Sequence, residues 1–311
     1  MAAPEHGAQL LLGAGDDAAI LQPGDYPLAV TTDALVEGVH FRSSWLDAEE
    51  LGRRAVEVNL SDLAAMAARP RFLLAAVGVP AHTPAAWLDA LLDGCADAGE
   101  AAGAALIGGN LTRGDVASIT VTALGEIPGR RLERRGARAG DHLLVTGTLG
   151  DAAAAVAAWT RGAPPDAEQR RRWARPRARI AAGLALAEAG AHAAIDLSDG
   201  LLADLGHLCE ASGVGAEIER ARLPRTPGVD RLDAAGADFA AAGGEDYEIL
   251  AAAPPSMTSD LSALALRAGV DLTVIGRCTD RPGDIRLVDA GGRPLPLREG
   301  FDHFRPAGRE G

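Results

Sequence analysis

The chain has 311 residues, a formal net charge of −13, 48% hydrophobic residues and a mean hydropathy of +0.05. That acidity excludes a non-specific nucleic-acid binder and disfavours docking to an anionic membrane surface, since both ask for a basic face. Lysine is absent, so every fixed side-chain cation is arginine, which excludes a P-loop lysine, a protein-kinase strand lysine and a Schiff-base lysine.

The length suits two domains at roughly 100–200 residues each. Residues 10–20 form an apolar run broken by glycine and followed by Asp16 and Asp17, ordinarily a turn. Leu28–Asp33 reads as a strand ending in two hydroxyls and a carboxylate, and Val36–Phe41 as a second extended piece bearing Glu37 and His40. Asp47–Arg69 reads as a helix with Asp47 as cap and Pro70 as its stop. Asn59 and Asp62 share a face of it, in a half that is otherwise almost wholly apolar, where a carboxylate is expensive unless paired or metal-bound. Strand Phe72–Val79, helix Pro84–Ala102 and a short strand Ala104–Ile107 follow. The last runs into Gly108-Gly109-Asn110, and strand Val116–Gly125 comes next. The arginine- and glycine-rich stretch Pro128–Gly140 reads as a linker, which gives domains of residues 1–136 and 137–311.

The second half opens with strand His142–Thr146 and a glycine-bearing loop, Gly147–Asp151. Its amides either receive an anion or begin a plain helix. Two helices, Ala152–Trp159 and Pro176–Ala189, flank a polar insertion, Gly162–Arg172. Ile195-Asp196-Leu197-Ser198-Asp199-Gly200 then reads as a buried strand, a tight turn and the start of helix Leu201–Ala211. Asp199 or Ser198 is either a helix cap or part of a metal and phosphate site. Strand Gly215–Glu219, a loop-rich stretch, Gly243-Gly244-Glu245-Asp246-Tyr247-Glu248 and strand Ile249–Ala253 follow. Helix Met257–Ala268, strands Leu272–Gly276 and Ile285–Val288, and a tail with Phe301-Asp302-His303-Phe304 complete the chain.

Strands alternate with helices in both halves, so the fold class is α/β (α+β), two domains of mixed sheets with flanking helices. Asp17, Asp33, Asp62, Asp196 and Asp199 each follow an apolar strand or sit within a buried helix. Each has a turn or cap explanation, yet five in one chain favour a shared multi-metal site. Hard oxygen donors without a Cys/His cluster select Mg²⁺ or Mn²⁺. The first nine residues carry no basic or apolar signal segment, no apolar run approaches the ~20 residues of a membrane span, and the three cysteines are scattered. These features set the expectation of a cytoplasmic protein with reduced thiols and neither nucleic-acid nor membrane partners.

Taken in order, Gly15-Asp16-Asp17, Thr31-Thr32-Asp33 with Gly38-Val39-His40-Phe41, and Asn59-Leu60-Ser61-Asp62-Leu63-Ala64-Ala65-Met66 form a set. Gly108-Gly109-Asn110, Thr146 to Asp151, Ile195 to Gly200, Gly243 to Glu248 and Phe301 to Phe304 continue it across almost the whole chain. In this set the chain resembles the thiamine-monophosphate kinases, of the two-domain ATP-binding superfamily that includes aminoimidazole ribonucleotide synthetase. The resemblance implies that fold, a homodimer formed through the amino-terminal domain, and ATP-dependent phosphorylation of thiamine monophosphate to the diphosphate with several Mg²⁺ ions. It implies metal ligands at Asp17, Thr32, Asp33, Asp62, Asp196 and Asp199, and nucleotide contacts at Gly109, Asn110, Arg134 and Ser198. It implies substrate contacts at His40, Glu245 and Phe301. No general base is expected, because a phosphate monoester is already ionised at pH 7, its second pKa being about 6; turnover is expected to depend on Asp199. The chain departs from the family at Asn110, where aspartate is common, and in a short amino terminus. The rivals are another ATP-dependent enzyme of the superfamily, a non-catalytic nucleotide or metal sensor, and a structural α/β protein.

Overall fold

The computed structural model describes residues 8–13, 19–234 and 237–296. In chain order the elements are β1 (Gln9–Leu12), β2 (Ile20–Gln22), β3 (Leu28–Val36), α1 (Ala48–Ala65), β4 (Arg69–Val79), α2 (Ala85–Ala102), β5 (Ala105–Arg113) and β6 (Ser118–Glu126). Then come β7 (His142–Thr146), α3 (Asp151–Thr160), α4 (Ala167–Ala174), α5 (Ile180–Ala189), β8 (Ala193–Asp196), α6 (Leu201–Ser212) and β9 (Gly215–Glu219). α7 (Pro227–Ala234), α8 (Phe239–Ala242), β10 (Ile249–Ala253), α9 (Leu261–Ala268), β11 (Leu272–Thr279) and β12 (Ile285–Val288) close the series. The mixed α/β class is as the sequence suggests.

The chain divides into two compact units, Met1–Leu132 with Ala174–Glu188, and Glu133–Trp173 with Ala189–Gly311. The expected single boundary after residue 136 differs from this, because the stretch from Ala174 to Glu188 is built into the first unit. Its packing on α1 holds it there. Glu50 of α1 takes the Arg175 guanidinium at 3.2 Å, Glu57 accepts the Ala178 N–H at 2.7 Å, and α5 lies so close to α1 that a Cβ on Gly183 would stand 1.9 Å from the Ala64 carbonyl oxygen.

In the first unit a four-stranded sheet runs β3-β6-β4-β5, antiparallel except for the β4–β5 pair. α1 packs on one face of it, against β3 and β6. Asp47 caps α1 by accepting the Glu50 N–H at 2.8 Å. The helix ends at Ala65, short of the expected Arg69, because Ala67 adopts a left-handed φ of 57° and turns the chain. Pro70 therefore sits near the start of β4, beside a register shift, where a missing N–H is tolerated. Val36–Phe41 is not a second strand: β3 ends at Val36 and a turn follows, closed by His40 N–H to the Val36 carbonyl at 2.9 Å. Strand β5 does not stop at Ile107 but carries Gly108-Gly109-Asn110 within it. On the other face of the sheet Leu21 of the β1–β2 hairpin packs against the cluster of Ala8, Phe72 and Ile107, as do Leu74 and Leu124, while Val30 on β3 remains 63% exposed.

In the second unit a six-stranded sheet runs β12-β9-β11-β7-β10-β8, antiparallel except for the β12–β9 pair. Its core joins Leu143, Val145, Ile195, Leu250 and Ile275 to Leu205 and Leu208 of α6. β8 is an edge strand, yet wholly buried, and Glu133 accepts its Ala194 N–H at 3.0 Å. The polar insertion contains α4, and the loop-rich stretch contains α7 and α8; these short helices lack the length that would mark them in sequence. The three cysteines are free and buried. No helix among the described residues is long and apolar enough to cross a membrane.

Candidate active site

In the first unit the acids converge on the seam between β3 and α1. Because side chains alternate along a strand, Thr31 and Asp33 face α1 while Thr32 faces the other side. Asn59, fully buried, accepts the Asp33 N–H at 2.9 Å and donates to the Ala55 carbonyl at 2.8 Å. One turn on, Asp62 accepts a short hydrogen bond from the Thr31 hydroxyl. The shared helix face of Asn59 and Asp62 is thus a docking face for one strand, tying the Asp33 backbone and the Thr31 hydroxyl to α1. Thr32 is placed apart, its hydroxyl donating to the Val121 carbonyl at 3.0 Å and accepting from Thr122 at 3.1 Å. Gly109 lies in the same cross-strand row as Asp33, through Val121 and Ala75, but at the opposite edge of the sheet. With neighbouring strands about 4.8 Å apart, Gly109 and its neighbour Asn110 stand roughly 14 Å away. A Cβ on Gly109 would meet the Ala75 carbonyl oxygen at 1.9 Å, so only glycine lets β5 lie this close to β4. His40 accepts the Val36 N–H on Nδ1 at 3.1 Å, which leaves its ring proton on Nε2.

In the second unit two motifs distant in sequence lie against each other. The Leu197 N–H donates to the Glu248 carbonyl at 2.8 Å, the Glu245 N–H to the Ser198 carbonyl at 2.7 Å, and the Tyr247 N–H to the Leu197 carbonyl at 2.8 Å. β8 pairs with β10, Asp196 opposite Ile249, which fixes that register. Asp196, Ser198, Asp199 and Glu245 are thereby brought together. Glu245 and Tyr247 hold left-handed φ values of 69° and 51°, a conformation that costs non-glycine residues of the order of 1–3 kcal/mol each and clusters at functional sites. The Glu245 carboxylate accepts the indole N–H of the fully buried Trp173 at 2.7 Å.

Neither Asp199 nor Ser198 caps α6; Gly200 holds that position without a side-chain bond. The acceptor is Asp204, whose Oδ2 takes the N–H groups of Asp199 at 3.1 Å and Gly200 at 3.0 Å. Burial, and then the Asp199 charge, push the Asp204 carboxyl up to about 7, while its two N–H bonds and the Arg134 guanidinium pull it down. Arg134 therefore lies within electrostatic reach of this turn, and its carbonyl accepts the Ser212 hydroxyl at 2.9 Å. Donor atoms of Asp199, Asp204 and His207 lie within 4.8 Å of one another, two hard oxygens and an imidazole nitrogen that suit a divalent cation.

The glycine loop before α3 is not an open anion site. The Gly147, Leu149 and Gly150 N–H groups donate to the Asp271 carbonyl, the Pro224 carbonyl and the Asp246 carboxylate. The acceptor at the start of α3 is thus the protein's own Asp246 side chain, whose carboxyl burial pushes well above the usual carboxylate range. Asp17 and Phe301 lie outside the described residues. Asp204 and Trp173 were not anticipated. An acid four residues after the turn glycine is the local signal for Asp204, whereas nothing local marks Trp173.

Residues 15–127 match the AIR synthase related protein N-terminal domain and residues 138–289 its C-terminal domain. The thiamine-monophosphate kinase of Escherichia coli (strain K12) is 41% identical over 304 residues, 94% of this chain and 92% of that relative. A crystal structure of thiamine-monophosphate kinase from Stenotrophomonas maltophilia K279a is similar with a TM-score of 0.83 at 40% identity, covering 92% of each chain. The structure described as AaThiL complexed with AMPPCP and TMP is similar with a TM-score of 0.79 at 30% identity, over 89% of this chain and 87% of that one. With both domain models matched in order and this identity over nearly the whole length, the chain belongs to the thiamine-monophosphate kinase family of AIR synthase related proteins.

Proposed function

We propose that this protein carries out its family's reaction with the residues set out above, as a cytoplasmic homodimer. The reaction is ATP-dependent phosphorylation of thiamine monophosphate to the diphosphate. The observation that carries it is the 41% identity to the Escherichia coli enzyme over 94% of the chain, supported by the similar AaThiL structure that holds AMPPCP and TMP.

The attacking phosphate oxygen is already ionised, so the chain's task is to position two polyanions and offset their repulsion. Like charges ~4 Å apart cost about 4 kcal/mol per pair at an effective dielectric near 20. Mg²⁺, when bound, would supply the countercharge. Asp33 and Asp62 of the first unit, with Asp17, and Asp196 and Asp199 of the second would hold the ion in this reading, their hard oxygens suiting it; Thr32, on the other side of the sheet with its hydroxyl bonded to Val121 and Thr122, stands outside that set. Asn59 and Thr31 hold Asp33 and Asp62 in register, and Asp204 holds the turn that carries Asp199. Gly109, Asn110, Arg134 and Ser198 take the nucleotide. His40 offers its Nε2–H, and Glu245 and Phe301 bind the thiamine portion. The exposed apolar residues Leu28 and Val30 on the open face of the first unit's sheet suit cover by a second copy.

The test is incubation of purified protein with ATP, Mg²⁺ and thiamine monophosphate, followed by separation of the products. Thiamine diphosphate above the no-enzyme control is expected. Its absence while ATP binding persists refutes the reading.

A further inference from the structure

We infer that Trp173 is a positioning residue for thiamine recognition, acting through Glu245; this rests on the proposed contact of Glu245 with the substrate. Three observations converge on it. The indole of Trp173 is fully buried, and its Nε1–H donates to Glu245 Oε2 at 2.7 Å, a bond from a neutral donor to a carboxylate across 72 residues of chain. Its ring is fixed by the edge of Trp159, with centroids 4.9 Å apart and planes at 72°. The helix that bears it, α4, is tied down one residue earlier, where Arg172 reaches the buried Asp151 at 3.4 Å and Glu168 at 2.8 Å.

Glu245 itself sits on left-handed backbone in a loop that crosses the Asp199 turn, and its carboxylate has several rotatable bonds. A rigid donor anchored in the core selects one orientation of that carboxylate before substrate arrives. The orientation cost is thereby met in folding, so affinity for the cationic, amine-bearing thiamine portion rises without any contact between Trp173 and the substrate. Trp173 acts through the Glu245 carboxylate, which this reading gives to the thiamine portion, so the effect is expected to fall on that substrate.

The test compares the wild type with Trp173→Phe and Trp159→Phe. Trp173→Phe removes the N–H and keeps an aromatic ring; Trp159→Phe disturbs the same ring pair and keeps the N–H. For Trp173→Phe the KM for thiamine monophosphate is expected to rise about tenfold or more, the size of a lost hydrogen bond to a charged group. The kcat and the KM for ATP should stay within about twofold, as should every parameter of Trp159→Phe. Calorimetric binding of thiamine monophosphate without ATP should weaken by the same factor. If Trp173→Phe does not fold, benzothienylalanine at position 173 removes the N–H at constant shape. An unchanged KM overturns the inference, as does a joint fall of kcat, ATP affinity and melting temperature, which would mark packing alone. A wild type that neither binds nor phosphorylates thiamine monophosphate overturns the functional reading beneath it and this inference too.

Discussion

Replacing Asp204 tests how the turn bearing Asp199 is held. Asp204→Ala removes the acceptor of two backbone N–H groups, at 3.1 Å from Asp199 and 3.0 Å from Gly200. The Gly200 donor is buried, so leaving it unpaired costs about 1–3 kcal/mol, while the half-buried Asp199 N–H can turn to water and loses about 0.5–1.5 kcal/mol. Against this stands relief from a buried carboxylate facing the like charge of Asp199, which returns part of the loss. A net destabilisation of roughly 1–2 kcal/mol follows for the alanine variant. Asparagine keeps an oxygen at the acceptor position and sheds the charge, so Asp204→Asn should match or exceed the wild type in stability. Function should separate the two more sharply. Groups that orient a metal ligand typically govern affinity or activity by 10–100-fold, so Asp204→Ala should raise the Mg²⁺ needed for half-maximal turnover by roughly that factor. Asp204→Asn should restore most of it. The assay is thiamine diphosphate formation over a Mg²⁺ titration, with thermal melts of both variants. An asparagine variant as impaired as alanine would refute the reasoning, because the charge of Asp204, and not its acceptor oxygen, would then be what matters.

Two further outcomes are expected. Thr146→Val removes a fully buried hydroxyl that donates to Glu248 Oε2 at 2.6 Å and accepts the Ile249 N–H at 2.8 Å; chemical denaturation should show a loss of about 2–4 kcal/mol, and a loss under about 1 kcal/mol would contradict it. Burial raises the Glu57 carboxyl above its ordinary 4.5, against the Ala178 N–H and nearby arginines. Between 4.5 and the raised value the folded state holds a proton that the unfolded state has lost, so the wild type loses stability as pH rises through that window. Glu57→Gln cannot titrate and keeps an acceptor, so its melting temperature relative to wild type should climb with pH across the same interval, and a flat difference would refute the assignment.

What could be read in advance followed from local chemistry. The Asp47 cap, the apolar strands β7 and β8 and the helix after Gly200 each announce themselves within a few residues. Glycine misled at residues 108–110, where it marked a close approach of β5 to the neighbouring strand and not the end of β5. Pro70 misled likewise, since the helix had already been ended by the left-handed Ala67. Asp196 and Asp199 stand out as a candidate site only through the repetition of the pattern elsewhere in the chain. Their partner Glu245 and its support Trp173 arrive by pairings across 47 and 72 residues, and no local spacing encodes those. In α1 the sharing of a face by Asn59 and Asp62 was visible, but not that both would grip the same strand.

The passage of Ala174–Glu188 into the first unit bears on how the protein is made. During synthesis, Glu50 and Glu57 leave the ribosome well before Arg175 and Ala178, their partners on that segment. At about 5–20 residues per second that interval lasts several seconds, with α1 lacking α5 throughout. The amino-terminal unit is therefore completed only after the second has begun to be translated, through Glu133–Trp173, and a nascent chain halted at Leu132 would present α1 with part of its surface uncovered.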